Sequence, residues 1–352
     1  MQQPRAAYLV SSRDGLFLVG RGGGPGAAGV RGPLLAGHDV AHARRDPVSG
    51  TLWAAARRGD APVIAWSDDD GATWARPNGP LPCEKVWQIH AAAGGVVWAG
   101  IEPAGLLRSG DGGATWDEVP GLDAHPTRDE WYSGGGGMML HTILTTPERP
   151  ARIVAGISVA GCFRSEDGGL TWHPSNTGTS GDGEMWEQFT GNVSRFPEVH
   201  RCVHKIVGDP TRPDRFFMQG HDGTYRSDDG GASWTDISAG LPSRFGFGIA
   251  AAPHDGPAGC AVWVVPQSGE TLRTEDGITA WRTLDAGATW QSQRTGLPDA
   301  GDWMVLRDAM AADAAGVCFG SSDGTLWESA DAGETWRALA TGLGRIQAVE
   351  IG

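Results

Sequence analysis

A short segment of the chain alternates residues that bind transition metals. In His200-Arg201-Cys202-Val203-His204, positions two apart carry an imidazole, a thiol and a second imidazole. Residues two apart on a β-strand point to the same face, so His200, Cys202 and His204 would lie on one side of one strand. Imidazole nitrogen and thiolate sulfur are the usual ligands of zinc and copper, and three ligands with an open position make a catalytic metal site. The segment therefore predicts a metal site.

Further histidines extend this metal hypothesis. When the repeat units described below are aligned, five residues fall at roughly equivalent positions on the inner strands, namely His42, His90, His141, His204 and Arg307. His221 follows in a turn of the same repeat unit as His204. We expect His141, His204 and His221 to hold one divalent ion, zinc or copper, with His200 and Cys202 as further candidate ligands. The alternative is that these histidines are hydrogen-bonded packing residues beside a narrow, water-filled channel.

Charged side chains on the same face suggest acid–base chemistry. The candidate catalytic residues are Glu102, Arg307 and Asp308, since a pair of carboxylates flanking a bound sugar is what glycoside hydrolysis requires. An ion pair between repeat units is the alternative for Arg307 and Asp308. The candidate ligand-binding residues are His90, Lys205, Tyr132 and Trp186. Among them, Lys205 would supply a cation for an anionic substrate.

An eight-residue motif that occurs six times must position these residues. Its pattern is Ser/Thr-x-Asp-x-Gly-x-Thr/Ser-Trp, and the copies are 67–74, 109–116, 165–172, 227–234, 283–290 and 329–336. The hydroxyl and the carboxylate can hydrogen-bond backbone N–H groups, and the glycine can take a positive φ. The motif therefore predicts a tight turn between two antiparallel strands, followed by a tryptophan large enough to lie between two sheets.

The repeat predicts one all-β domain, a single seven-bladed β-propeller over residues 1–352. The tryptophans of successive motifs are 42 to 62 residues apart, near or above the roughly 40–50 residues of a four-stranded blade. Residues 1–36 carry three predicted strands without the motif, and residues 345–352 carry one more. We expect these two segments to pair as a composite seventh blade, because this pairing closes the ring and removes an exposed sheet edge.

Two long insertions fall on one face of the predicted propeller. Gly121–Met138 would join the second and third blades, and Ser175–His200 would join the third and fourth. Loops of this length in a compact domain are usually lids, binding loops or disordered linkers. We expect the longer insertion to cover the mouth of the central channel.

Charge and composition limit the classes of partner. The formal net charge is −14, from 42 acidic and 28 basic residues, whereas nucleic acids and anionic membrane surfaces attract clustered lysine and arginine. The five cysteines are odd in number and scattered, so a disulfide framework is not expected. No apolar run approaches the ~18 residues of a membrane span, and no signal-peptide pattern opens the chain. The expectation is a cytoplasmic protein without a nucleic-acid or membrane partner.

The six turns resemble the BNR or Asp-box repeats of sialidases, sortilin-type receptors, xyloglucan hydrolases and the photosystem II assembly factor. The chain is similar to bacterial cytosolic proteins that carry the sialidase label through these repeats. The resemblance implies a β-propeller over nearly the whole chain. It also implies, for a sialidase, a tyrosine nucleophile with a glutamate partner, an aspartate acid/base and three arginines. The chain has only Tyr8, Tyr132 and Tyr225, so the sialidase catalytic residues are not recognisable in it.

Two functions from different classes fit these features. The first is a hydrolase-like enzyme, not a true sialidase, that uses a divalent metal and acts on a small polar or glycan-like ligand at the channel mouth. The second is a non-catalytic scaffold that binds a protein on the loop-rich face, as the resemblance to the assembly factor implies. An enzyme predicts a deep polar pocket with converging histidines and carboxylates, whereas a scaffold predicts a broader apolar patch.

Overall fold

Each repeated motif forms a turn that its own side chains hold together. In the copy at 109–116, the Ser109 hydroxyl accepts a hydrogen bond from the Gly113 N–H at 2.9 Å and donates one to Asp111 at 2.9 Å. Asp111 also accepts bonds from the Thr115 N–H at 3.0 Å and from the Thr115 hydroxyl at 2.6 Å. These bonds satisfy backbone groups that a reversing chain would otherwise leave unpaired. The motif therefore specifies its turn through local chemistry alone.

The structure is a computed structural model that describes residues 8–22, 29–133, 136–181, 184–267, 277–301 and 303–352. In chain order its strands are β1 (Tyr8–Ser12), β2 (Gly15–Val19), β3 (Val30–Leu34), β4 (Asp39–Arg45), β5 (Leu52–Arg58), β6 (Ala61–Ser67), β7 (Lys85–Ala91), β8 (Val97–Glu102), β9 (Gly105–Ser109), β10 (Asp117–Glu118), β11 (Leu140–Thr146), β12 (Arg149–Ile157), β13 (Gly161–Ser165), β14 (His173–Pro174), β15 (Val203–Asp209), β16 (Arg212–Gly220), β17 (Thr224–Ser227), β18 (Thr235–Asp236), β19 (Gly246–Pro253), β20 (Cys260–Pro266), β21 (Ala280–Thr283), β22 (Gln291–Gln293), β23 (Val305–Asp313), β24 (Gly316–Ser321), β25 (Leu326–Ser329), β26 (Arg337–Ala340) and β27 (Ile346–Ile351). The helical segments are α1 (Glu184–Thr190) and three 3-10 turns, Ala93–Gly95, Arg128–Glu130 and Pro197–Val199. No helix within the described ranges is long and apolar enough to cross a bilayer.

These strands form antiparallel meanders of three or four strands, which we call blades 1 to 7. Blades 1 to 6 are β4–β6, β7–β10, β11–β14, β15–β18, β19–β22 and β23–β26, and blade 7 is β27, β1, β2 and β3. In blade 1, a bridge between Trp66 and Ala75 takes the place of a fourth strand. One bridge between Asp308 and Ala348 joins blades 6 and 7. The seven blades are counted over the described residues.

The last strand of the chain pairs with the first, as the sequence predicts. β27 runs antiparallel to β1, with Tyr8 opposite Ile351 and Val10 opposite Val349. The predicted closure of the propeller by its C-terminal strand is thereby confirmed. The assignment of all residues 1–352 to one domain stays a prediction, since residues 1–7 lie outside the described ranges.

The motif tryptophans pack between neighbouring blades. Trp234 of blade 4 is 4% exposed and donates its indole N–H to the Ser175 carbonyl, which follows blade 3, at 2.8 Å. Trp290 of blade 5 donates to the Ile237 carbonyl, which follows blade 4, at 2.7 Å. Each bond ties one blade to the preceding one. Truncating a buried tryptophan to alanine costs about 3–5 kcal/mol, so these contacts contribute substantially to the stability of the ring.

The first residues of six inner strands contain β-bulges. The register shifts where the chain enters the channel, and the residues in the shifts include Ala41, Trp87, His141, His204, Phe247 and Arg307. We call these six residues the bulge row. A bulge adds one unpaired residue and re-aims its side chain. The row corrects the sequence alignment, because His42 and His90 lie one and three residues beyond it and are not equivalent to His141 and His204.

Removing β27 should open the ring. Deletion of residues 345–352 leaves β1 and β23 without their partner, and we expect loss of cooperative unfolding and aggregation because exposed strand edges pair with other chains. Circular dichroism melting combined with light scattering measures both effects. Deletion of Gly352 alone, which lies beyond β27, is the control and should melt like the parent. A 345–352 deletion that stays soluble with the parental melting temperature would contradict this role of the pairing.

The motif carboxylates should make stability depend on acid pH. Hydrogen bonds from the threonine hydroxyl and N–H, then from the serine hydroxyl, lower the pKa of Asp111 to about 2. An unfolded aspartate titrates near 3.9, so the stabilisation is present above about pH 4 and is lost as the pH falls towards 2. We expect the urea concentration at the unfolding midpoint to decrease as the pH is lowered from about 4 to about 2. In Asp111→Asn this decrease should be smaller. Asp117→Asn, at an exposed carboxylate outside the turn, should keep the parental profile, and identical profiles for both variants would argue against this assignment.

Candidate functional site

The channel has a cavity of about 230 Å³ at the end that carries the insertions. Its wall includes the first residues of several inner strands, Arg13 from the β1–β2 turn and Gly136 from the first insertion. We call it the mouth cavity. The end of the chain also contributes, through Arg345 and Gln347. Chain segments from opposite ends of the sequence therefore meet at one cavity.

The mouth cavity is rich in positive charge. Its cationic side chains are Arg13, Arg57, Lys85, Arg307 and Arg345, and its two carboxylates are Asp39 and Asp308. These seven groups carry a net charge of +3 in a chain whose net charge is −14. Arg57 forms an ion pair with Asp39 at 3.2 Å. The other four cations form no ion pair with any residue in the described part of the chain. Like charges gathered in one cavity repel each other and attract an anion.

Arg307 lies between two aromatic rings. Its guanidinium carbon is 5.7 Å from the centroid of the Trp87 ring and 5.9 Å from that of Phe247. One terminal N–H donates to Met139 Sδ at 2.8 Å, and the buried Nε has no hydrogen-bond partner among the described residues. Desolvation lowers the Arg307 pKa, and the negative charge of Asp308 opposes this effect. A guanidinium with unused N–H groups is suited to bind a carboxylate or a phosphate.

Lys85 is the second cation held against an aromatic ring. Its Nζ lies 3.3 Å from the centroid of the Trp87 ring. Desolvation lowers the Lys85 pKa to about 8, while the charge of Asp39 raises it and that of Arg57 lowers it. Lys85 is therefore protonated at neutral pH and loses its charge in mildly alkaline solution. A strongly shifted pKa in a cavity marks a candidate functional group.

The three candidate catalytic residues are only partly together at the mouth cavity. Arg307 and Asp308 line it, and Asp308 is ion-paired with Lys205 from blade 4. Glu102 is held beside the cavity, where it accepts a hydrogen bond from the Trp87 indole at 2.9 Å. From the sequence, an ion pair between repeat units is the alternative role of Arg307 and Asp308. Asp308 does form an ion pair between blades, but with Lys205 and not with Arg307. The catalytic roles of Glu102, Arg307 and Asp308 stay predictions.

Two candidate ligand-binding residues lie deeper in the channel. His90 is 5% exposed, and its Nε2 lies 2.8 Å from the Thr145 hydroxyl. Desolvation, followed by the charge of Arg44, lowers the His90 pKa to about 3, so His90 is neutral. Lys205 and Asp308 line a second cavity of about 220 Å³ farther along the channel. His90 is therefore a buried, hydrogen-bonded residue, as the alternative for the histidines proposed.

The other two candidate ligand-binding residues join the insertions to each other. The rings of Tyr132 and Trp186 have centroids 5.8 Å apart, and Trp186 stacks on His200 at 5.1 Å. Beside them Glu130, which is 4% exposed, accepts a hydrogen bond from the Ser194 hydroxyl at 2.6 Å. The first insertion is thus tied to the second. Contact of Tyr132 or Trp186 with a ligand stays a prediction.

Three of the candidate metal ligands come together. Cys202, His204 and His221 offer ligand atoms that all lie within 4.8 Å of one another. Cys202 immediately precedes β15, His204 is in the bulge row, and His221 lies in the β16–β17 turn. The backbone N–H of His221 donates to the Cys202 carbonyl at 2.9 Å, which fixes the turn against the strand entrance.

The remaining candidate ligands, His141 and His200, lie outside this group. His141 is fully buried, and its Nε2 lies 2.9 Å from the Val203 carbonyl oxygen. His200 follows a 3-10 turn instead of lying on β15, so strand alternation does not reach it, and its Nε2 lies 2.7 Å from the Ser194 hydroxyl. The geometry thus groups Cys202, His204 and His221 and leaves His141 out of the predicted trio, and metal binding by any of these residues stays a prediction.

Sequence reasoning missed most of the mouth cavity. The missed residues are Arg13, Asp39, Arg57, Lys85, Trp87, Phe247 and Arg345. Arg13 directly follows β1, the second strand of blade 7, and Arg57 is the penultimate residue of β5, the second strand of blade 1. These two blades are neighbours once the ring is closed. That signal was available from the predicted closure. Trp87 and Phe247 are in the bulge row, which an alignment without bulges cannot place.

Comparisons with known proteins bear on the fold. No family model and no curated protein matches the sequence. Among solved structures, an ancestral GH74 enzyme aligns with a TM-score of 0.61 and 16% identity over 89% of this chain and 38% of its own. YCF48 bound to a D1 peptide aligns with a TM-score of 0.55 and 15% identity over 96% and 88%. A putative 6-phosphogluconolactonase from Bacteroides uniformis aligns with a TM-score of 0.58 and 11% identity over 99% and 100%.

These alignments describe architecture. This chain spans about two fifths of the length of the GH74 enzyme. At identities this low, a likeness shows the fold alone. The chain therefore has the β-propeller fold that these three proteins share.

Proposed function

We propose that the mouth cavity binds a small anionic molecule that carries hydroxyl groups, such as a sugar acid or a sugar phosphate, and that the protein hydrolyses a bond in it. The observation that carries this proposal is the group of four cations, Arg13, Lys85, Arg307 and Arg345, that have no ion-pair partner among the described residues. Unpaired cations in a partly desolvated cavity destabilise the free protein. A bound anion would relieve that repulsion and gain charge-assisted hydrogen bonds.

The dimensions of the cavity favour one small ligand. Its volume of about 230 Å³ is below the roughly 300–1,000 Å³ of pockets for drug-sized molecules. Trp87 and Phe247 supply apolar walls. Arg307, which lies near both rings, would bind the acidic group of the ligand and thereby fix its orientation in the cavity. Asp39 offers carboxylate oxygens as acceptors for ligand hydroxyl groups. This combination of a few polar groups on apolar walls is typical of small-molecule sites.

The hydrolase part of the proposal rests on Lys85 and Asp39. A protonated Lys85 would stabilise negative charge that develops on a carbonyl or leaving-group oxygen. Asp39, oriented by hydrogen bonds from Arg57 and Gln347, would accept a proton from the attacking water. The GH74 enzyme and the putative lactonase among the structural neighbours are named as enzymes, which supports this class of function for a propeller of this type.

A protein-binding scaffold is the second candidate function. The structural neighbour YCF48 is bound to a D1 peptide, and an acidic peptide group would meet the same cations. However, the large apolar side chains exposed in the described residues are scattered, namely Val30, Val48, Leu170 and Val193. They lie on separate strands, turns and insertions, whereas protein-binding surfaces are usually contiguous patches. The cavity therefore favours a small ligand over a protein surface.

Binding of matched acids and neutral sugars tests the proposal. We expect glucuronate and 6-phosphogluconate to bind and to raise the melting temperature, whereas glucose should do neither. Loss of a charge-assisted hydrogen bond of about 1.5–3 kcal/mol should weaken acid binding about 10- to 100-fold in Arg307→Gln. Titration calorimetry measures the affinities. Arg164→Gln is the matched control, because Arg164 pairs with Glu166 beside a motif turn and should leave the affinity unchanged.

Two outcomes of this experiment would oppose the proposal. Equal binding of glucose and glucuronate would show that charge is not what the cavity recognises. An equal loss in Arg164→Gln and Arg307→Gln would place the effect outside the mouth cavity. Turnover of 6-phosphogluconolactone or of a phenyl glucuronide, both of which keep an acidic group, then separates the enzyme from a binding protein. Asp39→Asn should abolish that turnover while acid binding remains.

Anion affinity should fall at alkaline pH. Lys85 has a pKa of about 8 in the free protein, lowered mainly by desolvation, so its charge is present below pH 8 and is lost above it. We expect the affinity for glucuronate to be constant between pH 6 and 7 and to decrease above about pH 8. A bound anion raises the Lys85 pKa, so the loss in the complex is shifted to higher pH. Lys85→Gln should bind weakly at all pH values, and Lys85→Arg should bind without the alkaline loss. A parental profile in Lys85→Arg would assign the titration to another group.

A further inference from the structure

A thiol and two imidazoles meet at the entrance to blade 4, beside the mouth cavity. The sulfur of Cys202 lies 3.4 Å from Nε2 of His204, and the ligand atoms of both lie within 4.8 Å of a ring nitrogen of His221. A zinc–sulfur bond of about 2.3 Å and a zinc–nitrogen bond of about 2.0–2.1 Å at a tetrahedral angle separate sulfur and nitrogen by about 3.5 Å. The observed separation is therefore compatible with two ligands on one tetrahedral ion, as well as with a thiol–imidazole hydrogen bond.

His204 is held in the form that a metal ligand requires. Its Nδ1 lies 2.5 Å from the carbonyl oxygen of Gly246, the first residue of β19 in the next blade. A carbonyl oxygen only accepts hydrogen bonds, so Nδ1 carries the proton and Nε2 presents a lone pair towards the Cys202 sulfur. Metal-binding histidines usually donate their second N–H to such a backbone or carboxylate oxygen, and this bond fixes the ring orientation.

Aromatic rings surround the two histidines. The ring of Phe245 is 5.3 Å from His204 and 4.9 Å from His221, and the ring of Phe247 is 4.5 Å from His204. An apolar shell limits solvent access to a metal site and lowers the local dielectric constant. His204 is 3% exposed, whereas Cys202 and His221 are only half-buried, so an ion can reach the site from the loop-rich face. Three protein ligands leave one position for water or another ligand.

We propose that Cys202, His204 and His221 bind a single thiophilic d10 metal ion, zinc(II) or copper(I). A thiolate with two imidazoles suits both ions and is a poor set for magnesium or calcium, which require oxygen ligands. The site does not depend on the proposed anion binding. The two sites share Phe247, whose ring contacts His204 and also lies 5.9 Å from the Arg307 guanidinium. A metal ion in this position would therefore add its charge close to the mouth cavity.

Metal titration of the untagged, reduced and chelator-treated protein tests the proposal. One equivalent of zinc(II), or of copper(I) supplied without oxygen, should compete with a chromogenic chelator, and the relative affinities identify the preferred ion. Cobalt(II) in the site should give a thiolate-to-cobalt charge-transfer band. Cys202→Ser and His221→Ala should each weaken binding more than about 100-fold, because loss of even an outer-shell partner costs 10- to 100-fold.

Matched controls distinguish this site from incidental binding. Cys83→Ser removes a half-buried free thiol, and His173→Ala removes an exposed imidazole. Both variants should bind one equivalent of metal, as the parent does. In the parent chain, bound metal should protect Cys202 from alkylation. Peptide mass spectrometry measures the extent of this alkylation and requires no substitution in the protein. Absence of stoichiometric binding, a charge-transfer band that survives Cys202→Ser, or alkylation of Cys202 at equal rates with and without metal would each overturn the proposal. The last result would leave Cys202 and His204 as a metal-free thiol–imidazole pair.

Discussion

The pairing of β27 with β1 is the constraint on which the rest of the structure depends. A row of blades packed side by side leaves its first and last blades each exposed on one side unless the two meet. In this protein, strands from both ends of the chain pair in blade 7 and close the ring. The pairing also builds part of the site. The N–H of Arg13 in the β1–β2 turn donates to the Arg345 carbonyl just before β27 at 3.2 Å, which brings two cations of the mouth cavity together. Fold closure and site assembly are therefore one event.

The bulge row determines which side chains face the mouth cavity. A regular strand would alternate its residues between the channel and the blade interior. The register shift near the start of these inner strands leaves extra residues at that point, one each in β7 and β19 and three in β23. Trp87, Phe247 and Arg307 lie within these shifts at the mouth. The same shift places His204 against Cys202. One local irregularity, repeated around the ring, thus supplies both the aromatic walls of the mouth cavity and a ligand of the proposed metal site.

The sequence predicts the fold well because the motif is local. Its hydroxyl, carboxylate and glycine lie within five residues, so each turn can be read from the chain, and six turns imply the ring. The site depends on long-range geometry. Asp308 pairs with Lys205, 103 residues away, and Arg13 adjoins Arg345 from the other end of the chain. The bulges add a second difficulty, because one extra residue reverses the face on which each later side chain falls. Of the predicted site residues, Arg307 and Asp308 accordingly line the mouth cavity, whereas the lining residues Lys85 and Trp87 were not predicted.

The contrast between the acidic chain and its cationic mouth cavity bears on the size of an anionic ligand. Interactions between exposed charges are largely screened beyond about 8 Å at physiological ionic strength. A small anion inside the cavity would therefore experience mainly the local charge of +3. A long polyanion would extend over the surrounding surface, where the remainder of a chain of net charge −14 repels it. If the cavity binds anions as proposed, the same charge distribution that attracts a sugar acid disfavours a nucleic acid, and cavity volume and electrostatics select for the same class of small ligand.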